Sequence, residues 1–174
     1  MKLFKRLMTA LLAAVLAAGM LAGCSGAPAA PNTPLPSDAE ALALYQGVSE
    51  TCTRYNVKTP VYAAELEPIA QEIAEAAVIH RYYTTQPSAA VIDKAKTDVS
   101  ALADGAEYLV YDLNPYDAAA KTPLSVTSMK NTIIQKGANR MGIVIVTLTN
   151  ADTKEEVKYE CTVYARFPDA AAQE

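Results

Sequence analysis

The chain has 174 residues and contains no tryptophan, two phenylalanines, one histidine and three cysteines. A single histidine leaves any Cys/His metal centre short of ligands, because zinc usually takes three or four protein side chains. It also leaves His80 as the one histidine that could act as base to a serine or cysteine nucleophile. Seven glycines lie scattered, two of them before Cys24. None forms a phosphate-cradling or dinucleotide loop, and no Gly-x-Ser-x-Gly occurs. Positive charge is scarce, with fifteen Lys+Arg against nineteen Asp+Glu and a net charge of −4. A nucleic-acid footprint is therefore not expected. Lys2, Lys5 and Arg6 supply three of those positive charges and no acid precedes Cys24, so the remainder of the chain carries −7. That sign excludes attraction to a membrane surface by a polybasic patch. No sequence repeat occurs, and 51% apolar residues in this length fit one ordinary globular domain.

The first two dozen residues read as an address. Lys2, Lys5 and Arg6 form a positive start, and Leu7 to Leu21 is an uncharged stretch rich in Leu and Ala, too short for a membrane span. It ends in Leu21-Ala22-Gly23-Cys24, which resembles the bacterial lipobox, where cleavage before Cys is followed by acylation of that Cys. The alternative is plain secretion with cleavage near Ala22. Residues 1–23 are thus expected to be a lipoprotein signal peptide, with Cys24 as the lipidation site. At roughly 0.8 kcal/mol per buried CH₂, two or three acyl chains hold a protein on a membrane without a spanning helix. The expected location is the bacterial cell membrane, facing outward. Residues 24–36 carry Pro28, Pro31, Pro34 and Pro36 among small residues and read as a tether. Fully extended, it would reach roughly 35–40 Å.

A folded domain is expected over 37–168, followed by a tail at 169–174. Ser37-Asp38-Ala39-Glu40 has the pattern of a capping box and starts a helix reaching about Arg54. A second helix is expected from about Ala63 to His80, with Leu66, Ile69, Ala70, Ile73, Ala74, Ala77 and Val78 on one face. Ser88 to Leu102 forms a third, closed by Asp104-Gly105. Glu107 to Tyr111 reads as a short strand broken at Asn114-Pro115, with helical turns expected at 116–120 and 128–135. Arg140 to Thr149 is the strongest strand, and Ile143-Val144-Ile145-Val146 is apolar on both faces, as in a central strand covered on two sides. In the last strand Val157, Tyr159, Cys161, Val163, Ala165 and Phe167 share one face. Lys158, Glu160, Thr162, Tyr164 and Arg166 share the other. Helices first and an antiparallel hairpin last predict an α+β fold.

With Cys24 acylated, Cys52 and Cys161 remain, and outside the cytoplasm they could pair. Such a bridge would close about 110 residues and be worth on the order of 4–5 kcal/mol. Two separately buried thiols are the alternative.

The segment from Leu66 to His80-Arg81 resembles the helix of bacterial CAP (SCP-like) domains, which ends in His followed closely by Arg. These are relatives of cysteine-rich secretory, antigen-5 and plant pathogenesis-related proteins. Gly105-Ala106-Glu107-Tyr108-Leu109 resembles the family's Gly-Glu-Asn-Ile-type motif with one residue inserted. Ser125 to Ile134, followed by Met141-Gly142-Ile143-Val144, occupies the place of its later helix and β-hairpin. The resemblance implies a three-layer α-β-α sandwich with a small antiparallel sheet. It also implies a cleft containing His80 and Glu107, with Asp117 near the place of the second family acid. Met129 stands where the family's second His is expected, and one His with one or two carboxylates is a poor zinc site. No metal and no cofactor is expected.

The resemblance implies a surface lipoprotein with a non-catalytic, degenerate CAP-like domain, binding a lipid, glycan or other cell-envelope ligand. A rival reading is a cell-envelope hydrolase using the cleft carboxylates, which requires Glu107 and Asp117 within about 5–10 Å. A third is a structural envelope lipoprotein unrelated to that family. Each residue also has a plain reading: His80 as a helix-end cation favoured by the dipole, Glu107 as a solvated strand-end acid. Tyr82, Tyr83, Tyr108, Tyr111 and Tyr116 fit either a ligand groove or partial burial.

Overall fold

The computed structural model describes residues 34–77, 79–80, 83–84, 86–119, 130–149 and 152–168. The expected signal peptide, Cys24, most of the tether, Arg81, Tyr82, Met129 and the 169–174 tail lie outside the described residues. Among the described residues no helix is long and apolar enough to cross a membrane.

Helix α1 spans Ala39–Arg54 and is capped by Asp38, not by Ser37 as the capping-box pattern predicts. The Asp38 carboxylate accepts the Ala41 N–H at 2.8 Å. Glu40 is thereby released from a capping role and pairs with Lys158 at 2.8 Å. A two-residue strand β1 (Val61–Tyr62) and one 3₁₀ turn (Ala64–Leu66) precede α2, Glu67–Ala76. This α-helix is shorter than the expected 63–80. Pro68 lies within the first turn, where its missing N–H costs nothing. At the other end Ala77 is extended, and Ile79–His80 forms a strand, β2, paired with β3 at Tyr83–Thr84. His80 is therefore not a helix C-terminal residue. Helix α3, Ala89–Leu102, follows the expected range.

Strand β4 covers Glu107–Pro115, longer than expected at its C-terminal end. It is the edge of the sheet, and an edge strand tolerates proline because one side of its backbone needs no partner. Residues 116–119 are not helical. Asp117 instead accepts the Ala119 N–H at 2.8 Å in a local turn. A π-helical turn spans Lys130–Gln135, and β5 (Arg140–Thr149) and β6 (Glu156–Arg166) form the expected antiparallel hairpin. The sheet order is β1-β5-β6-β4. It is mixed rather than purely antiparallel, because β1 pairs with β5 in parallel.

Helices cover both faces of this α+β sheet. On one face α1 buries Leu44, Tyr45, Val48 and Cys52 against Met141, Ile143 and Tyr164. On the other, the 3₁₀ turn with α2 and α3 buries Leu66, Ile69, Ile73 and Val99 against Cys161, Val163, Ala165 and Phe167. The alternation of β6 assigns its odd residues to the α2/α3 side and its even residues to the α1 side, as the strand period requires. Both sides are buried from Tyr159 to Ala165.

Candidate functional site

Two of the expected cleft residues, Glu107 and Asp117, do not converge. Glu107 opens β4 and is exposed, ion-paired across the strands to Arg166. Asp117 follows β4 beyond its other end. Nine strand residues at about 3.3 Å each place the two acids about 26 Å or more apart, so they form no carboxylate pair. His80 lies in the two-stranded β2–β3 sheet, whereas Glu107 lies in the four-stranded one. Helix α2 starts against Gly142, and Glu67, Gln71 and Glu75 then run beside Ile143–Leu148. Its C-terminus thus lies toward the Leu148 end of the sheet. Glu107 lies at the Arg140 end, because its partner Arg166 neighbours the Ala165 that pairs with Arg140. The tyrosines also separate: Tyr108 and Tyr111 pack on the α2/α3 side, whereas Tyr116 packs on the α1 side.

Cys52 and Cys161 are free and fully buried, and the disulfide is not formed. Cys52 belongs to the α1 core and Cys161 to the core on the opposite face, so the sheet stands between them. Burial raises both thiols, and Cys161, near Asp112 and Glu160, is pushed up to about 12.

The residues that do come together lie on the α1 side of the β4–β6 pair. Register sets Asp112 opposite Thr162 and Asn114 opposite Glu160, with Val110 opposite Tyr164. Directly paired side chains on one face stand about 5 Å apart at Cβ and diagonal ones about 7 Å. Asp112, Asn114, Glu160, Thr162 and Tyr164 thus form one polar row. Glu160 is 5% exposed, and Thr162 and Tyr164 are fully buried. Even so, Glu160 Oε2, Thr162 Oγ1 and the Tyr164 hydroxyl have no hydrogen-bond partner among the described residues. The other Glu160 oxygen receives only a long 3.5 Å bond from Asn114 Nδ2.

Burial dominates the electrostatics of this row. It raises the Glu160 carboxyl to about 6, with Asp112 and Asp117 adding to the shift and the Asn114 bond opposing it. Burial likewise raises Asp112 and holds the Tyr164 phenol well above its ordinary range. Asn114 and Asp117 are exposed and Asp112 half-buried, so the row opens to solvent at its Asn114 end. Of the expected cleft residues, Asp117 acts on it. The alternation of the last strand already groups Glu160, Thr162 and Tyr164 on one face. The doubly apolar run Ile143–Val146 carries the remaining signal, because a helix on each side of β5 also covers both sides of β6.

Among the described residues, no group of three or more His, Cys, Asp or Glu side chains could hold a metal ion. The row instead offers two carboxylates, an amide and two hydroxyls: acceptors and two-way partners suited to a ligand rich in hydroxyl groups. No family model, curated protein or solved structure matches this chain.

Proposed function

We propose that this chain is a lipid-anchored, outward-facing binding module of a bacterial cell envelope, held by acylated Cys24 and spaced from the membrane by residues 24–36. Its domain binds a hydroxyl-rich envelope ligand, a glycan, without turning it over. The kinship with CAP (SCP-like) domains suggested by its sequence belongs to this reading, although the ligand contacts are not the His80 and Glu107 of the family pattern.

One observation carries the ligand reading: three buried polar atoms in a row on β6 without partners among the described residues. Leaving a buried donor or acceptor unpaired costs about 1–3 kcal/mol each. Ligand hydroxyls arriving from the Asn114 end would meet Glu160 first, and Thr162 and Tyr164, buried behind it, can each donate or accept.

The test is calorimetric titration of the full chain in detergent micelles with soluble cell-wall oligosaccharides. Binding should weaken at least roughly tenfold in Glu160→Gln and in Thr162→Val, each verified as folded by circular dichroism. Retention of full affinity in both variants, or binding by no oligosaccharide tested, overturns the glycan reading. In parallel, Cys24→Ala should move the protein from the sedimenting membrane fraction to the supernatant. A variant that still sediments overturns the anchor.

A second reading rests on Asp112 and Glu160 as a carboxylate pair, with burial holding Glu160 near the pH where a general acid works. Under it the same oligosaccharides gain reducing ends in a time-dependent, Glu160-dependent manner. Under the binding reading they are recovered intact.

A further inference from the structure

The sheet has one edge that its own chain leaves open. Strand β1 contributes two residues and pairs with Arg140 and Met141 alone. The Met141 carbonyl accepts the Ala63 N–H at 2.9 Å on that side. Backbone groups alternate sides along a strand, so Ile143, Ile145 and Thr147 turn theirs to the same edge, while their even-numbered neighbours face β6. Among the described residues no strand pairs with this edge beyond Met141.

A groove of about 380 Å³ runs along it. Six consecutive β5 residues, Ile143 to Leu148, line this groove. Consecutive strand residues point to opposite faces, so all six can share one groove only where it follows the backbone edge. Edge strands usually carry lysine, proline or a bulge that discourages pairing. Ile143-Val144-Ile145-Val146-Thr147-Leu148 has no lysine or proline and pairs with β6 in continuous register.

The chemistry of the rim selects the occupant. Asp38, Glu67 and Glu75 line the groove, and among the described residues no Lys or Arg does. Their carboxylates meet only neutral donors among the described residues: the Ala41 N–H, the Tyr62 hydroxyl and the Gln71 side-chain amide. A second copy of this chain would bring its own acidic rim against this one, and like charges across an interface oppose association. The tether from Cys24 to Pro36 has no basic residue and several prolines, so it fits neither the charge nor the pairing.

We propose that the free edge of β5, from Ile143 to Leu148, takes an extended lysine- or arginine-bearing segment of a partner protein as an added strand. Main-chain hydrogen bonds to Ile143, Ile145 and Thr147 supply the affinity, and Asp38, Glu67 and Glu75 select the basic side chains. Six residues, about 20 Å of strand, fill the groove. This inference is independent of the polar row on β6, and its test reads different residues.

The experiment is amide hydrogen exchange by NMR on the full chain in detergent micelles, alone and with a seven-residue peptide alternating lysine and valine. In the free protein the Ile143, Ile145 and Thr147 amides should exchange faster than those of Val144 and Val146. The peptide should slow the three edge amides by at least roughly tenfold. Glu75→Lys should weaken the peptide severalfold. Thr147→Pro should remove the protection at Ile145, since its lost N–H faces the free edge rather than β6. Should Thr147→Pro not fold, Glu75→Lys carries the test. Edge amides already protected in the free protein overturn the proposal, as do peptide binding without edge protection and equal binding of a glutamate–valine peptide.

Discussion

Asn139 and Phe167 are joined twice: the Asn139 side-chain amide donates to the Phe167 carbonyl at 2.7 Å, and its oxygen accepts the Phe167 N–H at 2.7 Å. One side chain thereby imitates a strand neighbour for the residue that follows β6. Its own carbonyl accepts the Val61 N–H at 2.9 Å, so the same residue also ties down β1. Asn139→Ala should destabilise the domain by about 1–3 kcal/mol, with two partly buried backbone groups losing partners. Asn139→Asp retains the acceptor and loses the donor, so it should fall between alanine and wild type. Urea denaturation of the three proteins measures the order.

Gly142 is where β5 meets the start of α2. A Cβ at this position would stand 2.5 Å from Leu66 Cβ and 2.9 Å from the Leu66 carbonyl carbon. Backbone cannot yield as a flexible side chain can, so Gly142→Ala should cost about 1–3 kcal/mol through displacement of α2. Pairing it with Leu66→Ala leaves both obstacles in place, since alanine keeps the Cβ and the backbone, and opens a cavity as well. The double variant should therefore be no more stable than Gly142→Ala, as thermal denaturation will show.

The buried Glu160 carboxyl gives stability a pH dependence of definite sign. Its value rises from 4.5 to about 6 on folding, so the folded state binds the proton more tightly than the unfolded chain. Its contribution is fully present below pH 4.5 and is lost as pH rises through about 6. The loss is about 2 kcal/mol at 1.36 kcal/mol for each unit. Asp112, also raised by burial, acts in the same direction. Glu160→Gln should flatten the fall between pH 4.5 and 6 in denaturant titrations. An unchanged slope would show that another group sets it.

Both internal thiols should be silent in the native state. Cys52 and Cys161 are fully buried and their thiols are raised by burial, so a thiol reagent at pH 8 should react with neither in the folded domain. Both should react in denaturant without any reductant, because the sheet keeps them apart. A purified, unreduced chain whose Cys52 and Cys161 stay unreactive in denaturant would contradict this arrangement.

Much of the local structure is legible in the residues themselves. The apolar period from Leu66 to Ala74 marks a helix, and the alternation from Val157 to Phe167 marks a strand and sorts its two faces correctly. Element ends are less legible. Capping passed from Ser37 to Asp38, and β4 continued through Asn114 and Pro115 because it proved to be an edge strand. The family resemblance also implied bringing His80, Glu107 and Asp117 together, yet Glu107 and Asp117 flank a nine-residue strand and cannot meet.

What the residue pattern determines by itself, then, is which side chains share a face, since the periods of helix and strand are properties of the local backbone. Whether a face is covered depends on elements distant in the chain. Helix α1, more than a hundred residues before β6, covers the side that carries Tyr164, and so turns the polar face of that strand into a buried row with an acid raised to about 6. The same packing separates Cys52 from Cys161 by a sheet and stops β1 after two residues, which leaves the edge of β5 open. These outcomes follow from which surfaces find one another to bury, and no local period encodes that choice.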